Sequence, residues 1–284
     1  MISFFRKIRN LPAGKAGKMA DDNKSLKPAW PVGRYMRYAL GEIVLVVIGI
    51  LIALSVNNYN QSRIDKKDEG AYLEGIRADL KKQIMDFEEM TTYNGQRIAI
   101  VNRLLDDEVR QGGFKGNDST LMMFNKIISV SAPTEIKTSF TELLSSGDLN
   151  LIRNESLKND IVRFYQDLEE MVRRSNSNIT NVYQNHLILL LTSRTFVSNE
   201  SDYSDHSGNL KNDIRSRNYP EHVREAAFDK LEDPHLELEL INALNLRALI
   251  EVLQKDRSEI IIENAQELIE HIESELRNIH HIEF

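Results

Sequence analysis

Residues 39–56 read Ala39-Leu-Gly-Glu-Ile-Val-Leu-Val-Val-Ile-Gly-Ile-Leu-Ile-Ala-Leu-Ser-Val56, and this stretch decides how the chain is organised. As a helix rising about 1.5 Å per residue, these 18 residues cover roughly 27 Å, close to the hydrocarbon thickness of a bilayer. Eleven large aliphatic side chains lie between Ile43 and Val56. At about −0.3 to −0.6 kcal/mol each near a helix centre, they favour insertion by roughly 3–7 kcal/mol. The one acid, Glu42, sits at the edge, where it can reach the headgroups. Trp30, Tyr35 and Tyr38 before the stretch, and Tyr59 after it, suit the two aromatic belts of a membrane span. A buried core helix also reads as apolar all round, but seldom runs so long between basic and polar ends. A cleaved signal peptide would need a short leader and a small-residue cleavage site. Here 37 residues precede the span, and Leu54-Ser55-Val56 lacks the required pattern. The expectation is an uncleaved signal-anchor at residues 38–57.

Working outward, the flanks differ sharply in charge. Residues 1–37 hold nine Lys/Arg and two acids, a net of +7, while the remainder holds 27 basic and 41 acidic residues, a net of −14. The positive-inside rule therefore predicts a cytoplasmic leader over 1–37 and an exported domain over 58–284. Ile2, Phe5 and Ile8, between Arg6, Lys7 and Arg9, suit a turn or two of helix on an anionic leaflet, although a solvated tail reads nearly as well. Residues 11–33, with three prolines, several glycines and scattered lysines, read as an irregular connector.

Beyond Asn57-Asn58-Tyr59-Asn60 the pattern turns amphipathic. Leu73, Ile76, Leu80, Ile84, Phe87, Met90, Ile98, Val101 and Leu105 recur at three and four, with one break expected near Tyr93–Gly95. Gly112-Gly113 stops this helix, and a short one from about Ser119 runs until Pro133. Thr138–Gly147 predicts another short helix closed by its glycine, and Asn154 begins a long one running into Leu187–Leu191. Residues 199–220, rich in Ser, Asn and Asp, read as a loop or lid. Leu236–Ile279 reads as one long helix, or as two joined near Lys255-Asp256. No alternating strand pattern of useful length occurs. The predicted fold is all-α: one transmembrane helix, then an extended antiparallel bundle with three long helices and shorter ones between them.

Four segments carry a family resemblance: Met1-Ile-Ser-Phe-Phe-Arg-Lys-Ile-Arg9, Met19-Ala-Asp-Asp-Asn23, Arg37-Tyr-Ala-Leu-Gly-Glu through Asn57-Asn-Tyr-Asn60, and Ser139-Phe-Thr-Glu-Leu-Leu-Ser-Ser-Gly-Asp-Leu-Asn-Leu-Ile152. Together they resemble an uncharacterised family of small single-span membrane proteins abundant in Bacteroidota. The resemblance implies a bacterial inner-membrane protein with a helical periplasmic domain, and it supplies no catalytic residue.

Chemistry is sparse. With no cysteine, disulfide scaffolds, thiolate zinc sites and thiol catalysis are excluded. Net charge −7 argues against general nucleic-acid binding. Glu267, His271 and Glu275 share a helical face, with His280-His281 beyond, yet no H-E-x-x-H occurs, and a solvated face is the expectation. His206, His222 and His235 form no readable cluster. Gly112-Gly113-Phe-Lys-Gly116 has neither P-loop nor dinucleotide spacing, and Ser145-Ser-Gly-Asp148 lacks a G-x-S-x-G frame. Gly147 reads instead as a left-handed helix cap. The one polar feature with a mechanism is a possible membrane helix-packing face at Glu42, Gly49 and Ala53: small residues let two spans approach and a carboxyl can bond across. No metal and no cofactor is implied. The predicted partners are the lipid bilayer and either a second copy or another membrane or periplasmic protein. The predicted function is a membrane-anchored scaffold or interaction protein, with a ligand-sensing helical module acting through a partner as the other reading. Enzymatic activity is not expected.

Overall fold

The computed structural model describes residues 32–194, 197 and 220–281, and no strand occurs among them. The expectations for the leader before residue 32 and for the loop at 199–219 lie outside the described residues. The chain divides into two compact units, Met1–Tyr59 and Asn60–Phe284. Helix α1 spans Val32–Gln111. In the first unit it carries the apolar stretch, whose large side chains from Ile43 to Val56 are 47–73% exposed. Among the described residues, one helix is long and apolar enough to cross a membrane.

In the second unit the buried positions of α1 are Glu69, Leu73, Ile76, Leu80, Gln83, Phe87, Met90, Asn94, Arg97, Val101 and Leu104. Their spacing alternates four and three without exception, the repeat that keeps one helical stripe facing a neighbour. The break expected near Tyr93–Gly95 is absent. Asn94 continues the repeat as a buried residue, and its Oδ1 accepts from Arg97 Nη1 at 3.3 Å. Gly112 and Gly113 then end the helix with φ of +65° and +129°, conformations open to glycine at little cost.

Helix α2 (Asp118–Ile128) starts from Asn117, whose Oδ1 accepts from Thr120 N. It stops five residues before Pro133. Helix α3 (Thr138–Ser146) closes on Gly147 at φ +79°, as its sequence predicted. A 3₁₀ turn (Asp148–Leu151) leads to α4 (Glu155–Asn178), capped by Asn154. A π-helical segment (Ile179–Leu187) continues into α5 (Ile188–Arg194). Helix α6 (Glu221–Leu231) and the long α7 (Pro234–His281) complete the unit. Helix α7 runs through Lys255-Asp256 with no joint.

Contacts fix the helix directions. Arg77 and Arg97 of α1 meet Glu273 and Glu251 of α7, so these two helices are antiparallel. Asp160 of α4 meets His271, and Tyr183, further on, meets Arg247, so α4 is antiparallel to α7 as well. As expected, the described residues are all-helical. The apolar interior of the second unit is divided. One core joins Leu73–Met90 of α1, Phe140, Leu157–Val172 of α4 and Ile261–Ile279 of α7, with Phe140 stacked on Tyr165 at 4.2 Å. A second joins Val101, Leu104, Phe114, Phe124, Ile127, Leu191, Leu231, Leu240 and Leu244.

Candidate functional site

Between the two cores the three–four repeat of α7 runs through Arg247, Glu251, Gln254 and Ser258, of which three are 0% and Gln254 5% exposed. Opposite them α1 supplies Asn94 and Arg97, and α4 supplies Ser175. About three turns of α7 therefore turn a polar row into the bundle, beside a third, smaller apolar cluster of Tyr183, Leu187, Ala243 and Ile250. Arg247 Nη2 lies 2.6 Å from Glu251 Oε1, and Arg97 Nη1 lies 3.7 Å from Glu251 Oε2. Two guanidinium groups thus share one buried carboxylate, and the Arg247 guanidinium also stands 4.5 Å over the ring of Tyr183.

What these side chains hold is backbone. Ser129–Lys137, between α2 and α3, is an irregular strap with Pro133 buried. Its main chain has no ladder to join, so its polar groups need side-chain partners. Arg247 Nη2 donates to Ser129 O at 2.7 Å, and Gln254 Nε2 donates to Ser131 O at 3.2 Å. Gln83 Nε2 donates to Thr134 O at 3.0 Å while its Oε1 accepts from Ile136 N at 2.7 Å. Arg97 Nη2 reaches Ser129 Oγ at 3.5 Å. This explains why α2 ends at Ile128: Ser129 takes extended backbone (φ −71°, ψ 147°), and its carbonyl goes to Arg247 rather than to a further helical turn.

The π-helical segment borders the same layer. Ser175, Ile179, Tyr183, Leu187 and Leu191 are buried at a uniform spacing of four. In an α-helix, advancing about 100° per residue, four such steps rotate about 160° away from the core. A π winding, with its i→i+5 bonds and roughly 4.4 residues per turn, lags by about 18° per residue. Over the nine residues of Ile179–Leu187 that lag cancels the drift, so Leu187 and Leu191 stay inside. The Ile188 N–H to Tyr183 O bond marks the wide turn at its end.

Burial pulls the Arg247 guanidinium below its usual range, against the attraction of Glu251, and pushes the Glu251 carboxyl up, against the attraction of Arg247 and Arg97. Arg247 Nε and Nη1 have no hydrogen-bond partner among the described residues. At the far end of the first core, Glu69 accepts from Arg153 N at 2.9 Å, and its burial raises its carboxyl. The charged groups of the layer face carbonyls and each other. Their bonds to the strap run from Arg247 and Arg97 to Ser129.

The residues singled out from sequence lie elsewhere. Glu42, Gly49 and Ala53 fall within about 40° of one another on α1, all exposed, with nothing within 4 Å of the position a side chain on Gly49 would take. Glu267 and His271 line the same cleft of about 170 Å³ between α4 and α7, where His271 Nδ1 pairs with Asp160 Oδ2 at 3.3 Å, while Glu275 lies outside it and accepts from Asn154 Nδ2 at 2.9 Å. No group of three metal-ligating side chains occurs among the described residues. His222 lies in α6 and His235 in the first turn of α7, while His206 lies outside the described residues. The buried layer was not singled out, although the repeat that runs through it was the available signal.

Residues 42–205 match a family of unknown function, DUF6090, and the chain belongs to that family. No curated protein and no solved structure matches the chain.

Proposed function

We propose that this member of a family without an assigned activity is a single-span protein of a bacterial inner membrane. In this reading residues 1–37 are cytoplasmic, 38–57 span the bilayer, and 58–284 form a periplasmic helical scaffold that self-associates or holds another protein. The observation that carries the reading is the joining of two surfaces in α1. Its first unit exposes an unbroken aliphatic surface from Ile43 to Val56, while its second unit buries an eleven-position repeat. Exposed aliphatic surface on that scale is stable in lipid and not in water. The +7 leader supports the orientation. The polar groups of the bundle interior are committed to the strap, which suits a rigid presenting surface.

Crosslinking in native membranes followed by affinity purification of the full chain tests the scaffold role. A stoichiometric protein complex or homo-oligomer is the expected product, and recovery of the uncrosslinked monomer alone contradicts it. The cleft of about 170 Å³ beside Asp160 and His271 favours a second reading, ligand sensing through a partner. A small molecule co-purifying at equal stoichiometry would support it.

A further inference from the structure

The side of α7 turned away from the bundle carries a second aliphatic stripe. Leu246, Leu249, Leu253 and Ile260 are 37, 53, 38 and 55% exposed, and Val252, at 38%, borders them. At about 100° per residue the four fall within an arc of about 60°, centred roughly 145° from Arg247, Glu251, Gln254 and Ser258. A helix packed on one side normally shows water a polar back. Here the exposed aliphatic surface amounts to roughly 400 Å², in the range where monomer patches are often functional and about half of what each partner brings to a standard dimer. Asn242 and Glu263 continue the same face, so the patch is closed by polar residues at both ends, as an interface core with a polar rim is.

We propose that two copies of the chain pair through this stripe, α7 against α7, parallel and in register. The proposal rests on the self-association in the functional reading above and names its surface. The stripe has the three–four spacing of a helix–helix seam, with Leu246, Leu253 and Ile260 at one seam position and Leu249 and Asp256 at the other. Parallel in-register pairing sets leucine on leucine three times and isoleucine on isoleucine once. The antiparallel register centred on Leu249 and Leu253 pairs those leucines twice, but sets Leu246 on Asp256 twice and Ile260 on Asn242 twice, and the next register sets Leu253 on Asp256 twice. Flanking residues five apart face each other in the parallel pair, Val252 with Arg257 and Glu259 with Asn264, with no like charges between them, while Ile250 is buried in the chain's own core. The cost is one layer of paired Asp256, a polar position of the kind that fixes register. A lipid surface is a poor occupant, because Asp256, Glu259 and Glu263 beside the stripe oppose anionic headgroups.

The chain contains no cysteine, so single substitutions report cleanly. Leu249→Cys, Leu253→Cys and Ile260→Cys are introduced into the full chain in native membranes and oxidised with copper phenanthroline. Met85→Cys, on exposed α1 surface, is the control. Disulfide dimers at least fivefold above the control at all three positions are expected, and Asp256→Leu should raise the dimer yield severalfold. Leu249→Asp should abolish it without changing the helical circular dichroism. Yields equal to the control overturn the proposal, as does crosslinking only to a different protein. The mass of the full chain in nanodiscs separates the two claims. A dimer without α7 crosslinks overturns this surface alone, and a monomer overturns self-association with it.

Discussion

Replacing Arg247 with Met keeps most of the side-chain volume over Tyr183 and removes the guanidinium that touches both Glu251 and Ser129 O. Glu251 is then a fully buried carboxylate with Arg97, 3.7 Å away, as its remaining cation. The penalty has a ceiling, since the carboxyl can take up a proton. Holding it neutral at pH 7, about 2.7 units above its unfolded pKa, costs about 3.7 kcal/mol. The strap carbonyl left without its donor adds about 1 kcal/mol, and Arg97 recovers part of the loss. The expected destabilisation is about 3–5 kcal/mol at pH 7, in the range for breaking one side of a buried ion pair. At pH 5 protonation costs only about 1 kcal/mol, so the deficit should shrink to about 2 kcal/mol. Urea unfolding of the full chain in detergent, followed by circular dichroism at both pH values, measures this. Arg247→Met/Glu251→Leu should recover more than half of the loss, because no orphaned charge remains. A single variant within about 1 kcal/mol of wild type at pH 7, or a double variant no better than the single, would refute the argument that the layer is an ion network holding the strap.

Three further outcomes follow from other sites. Burial raises the Glu69 carboxyl in the folded chain, so the stability it contributes is present at low pH and lost as pH rises through the raised value. Glu69→Gln, whose amide oxygen can still accept from Arg153 N, should flatten the pH profile, leaving the variant more stable than wild type at pH 7.5 and equal to it near pH 4. A Cβ on Gly116 would lie 2.3 Å from Phe228 Cβ and 2.6 Å from its Cα, so Gly116→Ala should cost about 2 kcal/mol or more in the same unfolding assay. If Glu42, Gly49 and Ala53 form a packing face, Gly49→Ile or Glu42→Leu should weaken association of the isolated span by about 1 kcal/mol. Energy transfer between labelled spans reads this out, and an unchanged signal from both would leave the face lipid-exposed.

Much of the fold was legible because it rests on period. The aliphatic run to Val56, the repeat from Leu73, Gly112-Gly113, Gly147 and the Asn154 cap each state their structure locally. The polar layer was not legible, because its residues were weighed by type before position. Asn94 falls inside the stretch Tyr93–Gly95 that reads as a helix break, and Arg247 and Glu251 lie within the long helical pattern of Leu236–Ile279 without standing out from it. Only their place in the four–three alternation marks them as interior. The π winding hid for a related reason: spacing of four from Ser175 to Leu191 looks helical, and the accumulated drift shows only when the steps are summed over sixteen residues. The partner of the layer, the Ser129–Lys137 strap, is a tertiary arrangement that no local pattern announces.

Topology is the claim on which the account stands. Alkaline phosphatase fused after Phe284 in a bacterial host should be active, because its disulfides form in the oxidising periplasm, while a cytoplasmic reporter at the same position should be silent. An inactive phosphatase fusion at normal expression, with the cytoplasmic reporter active in its place, would contradict the membrane-anchored, exported scaffold.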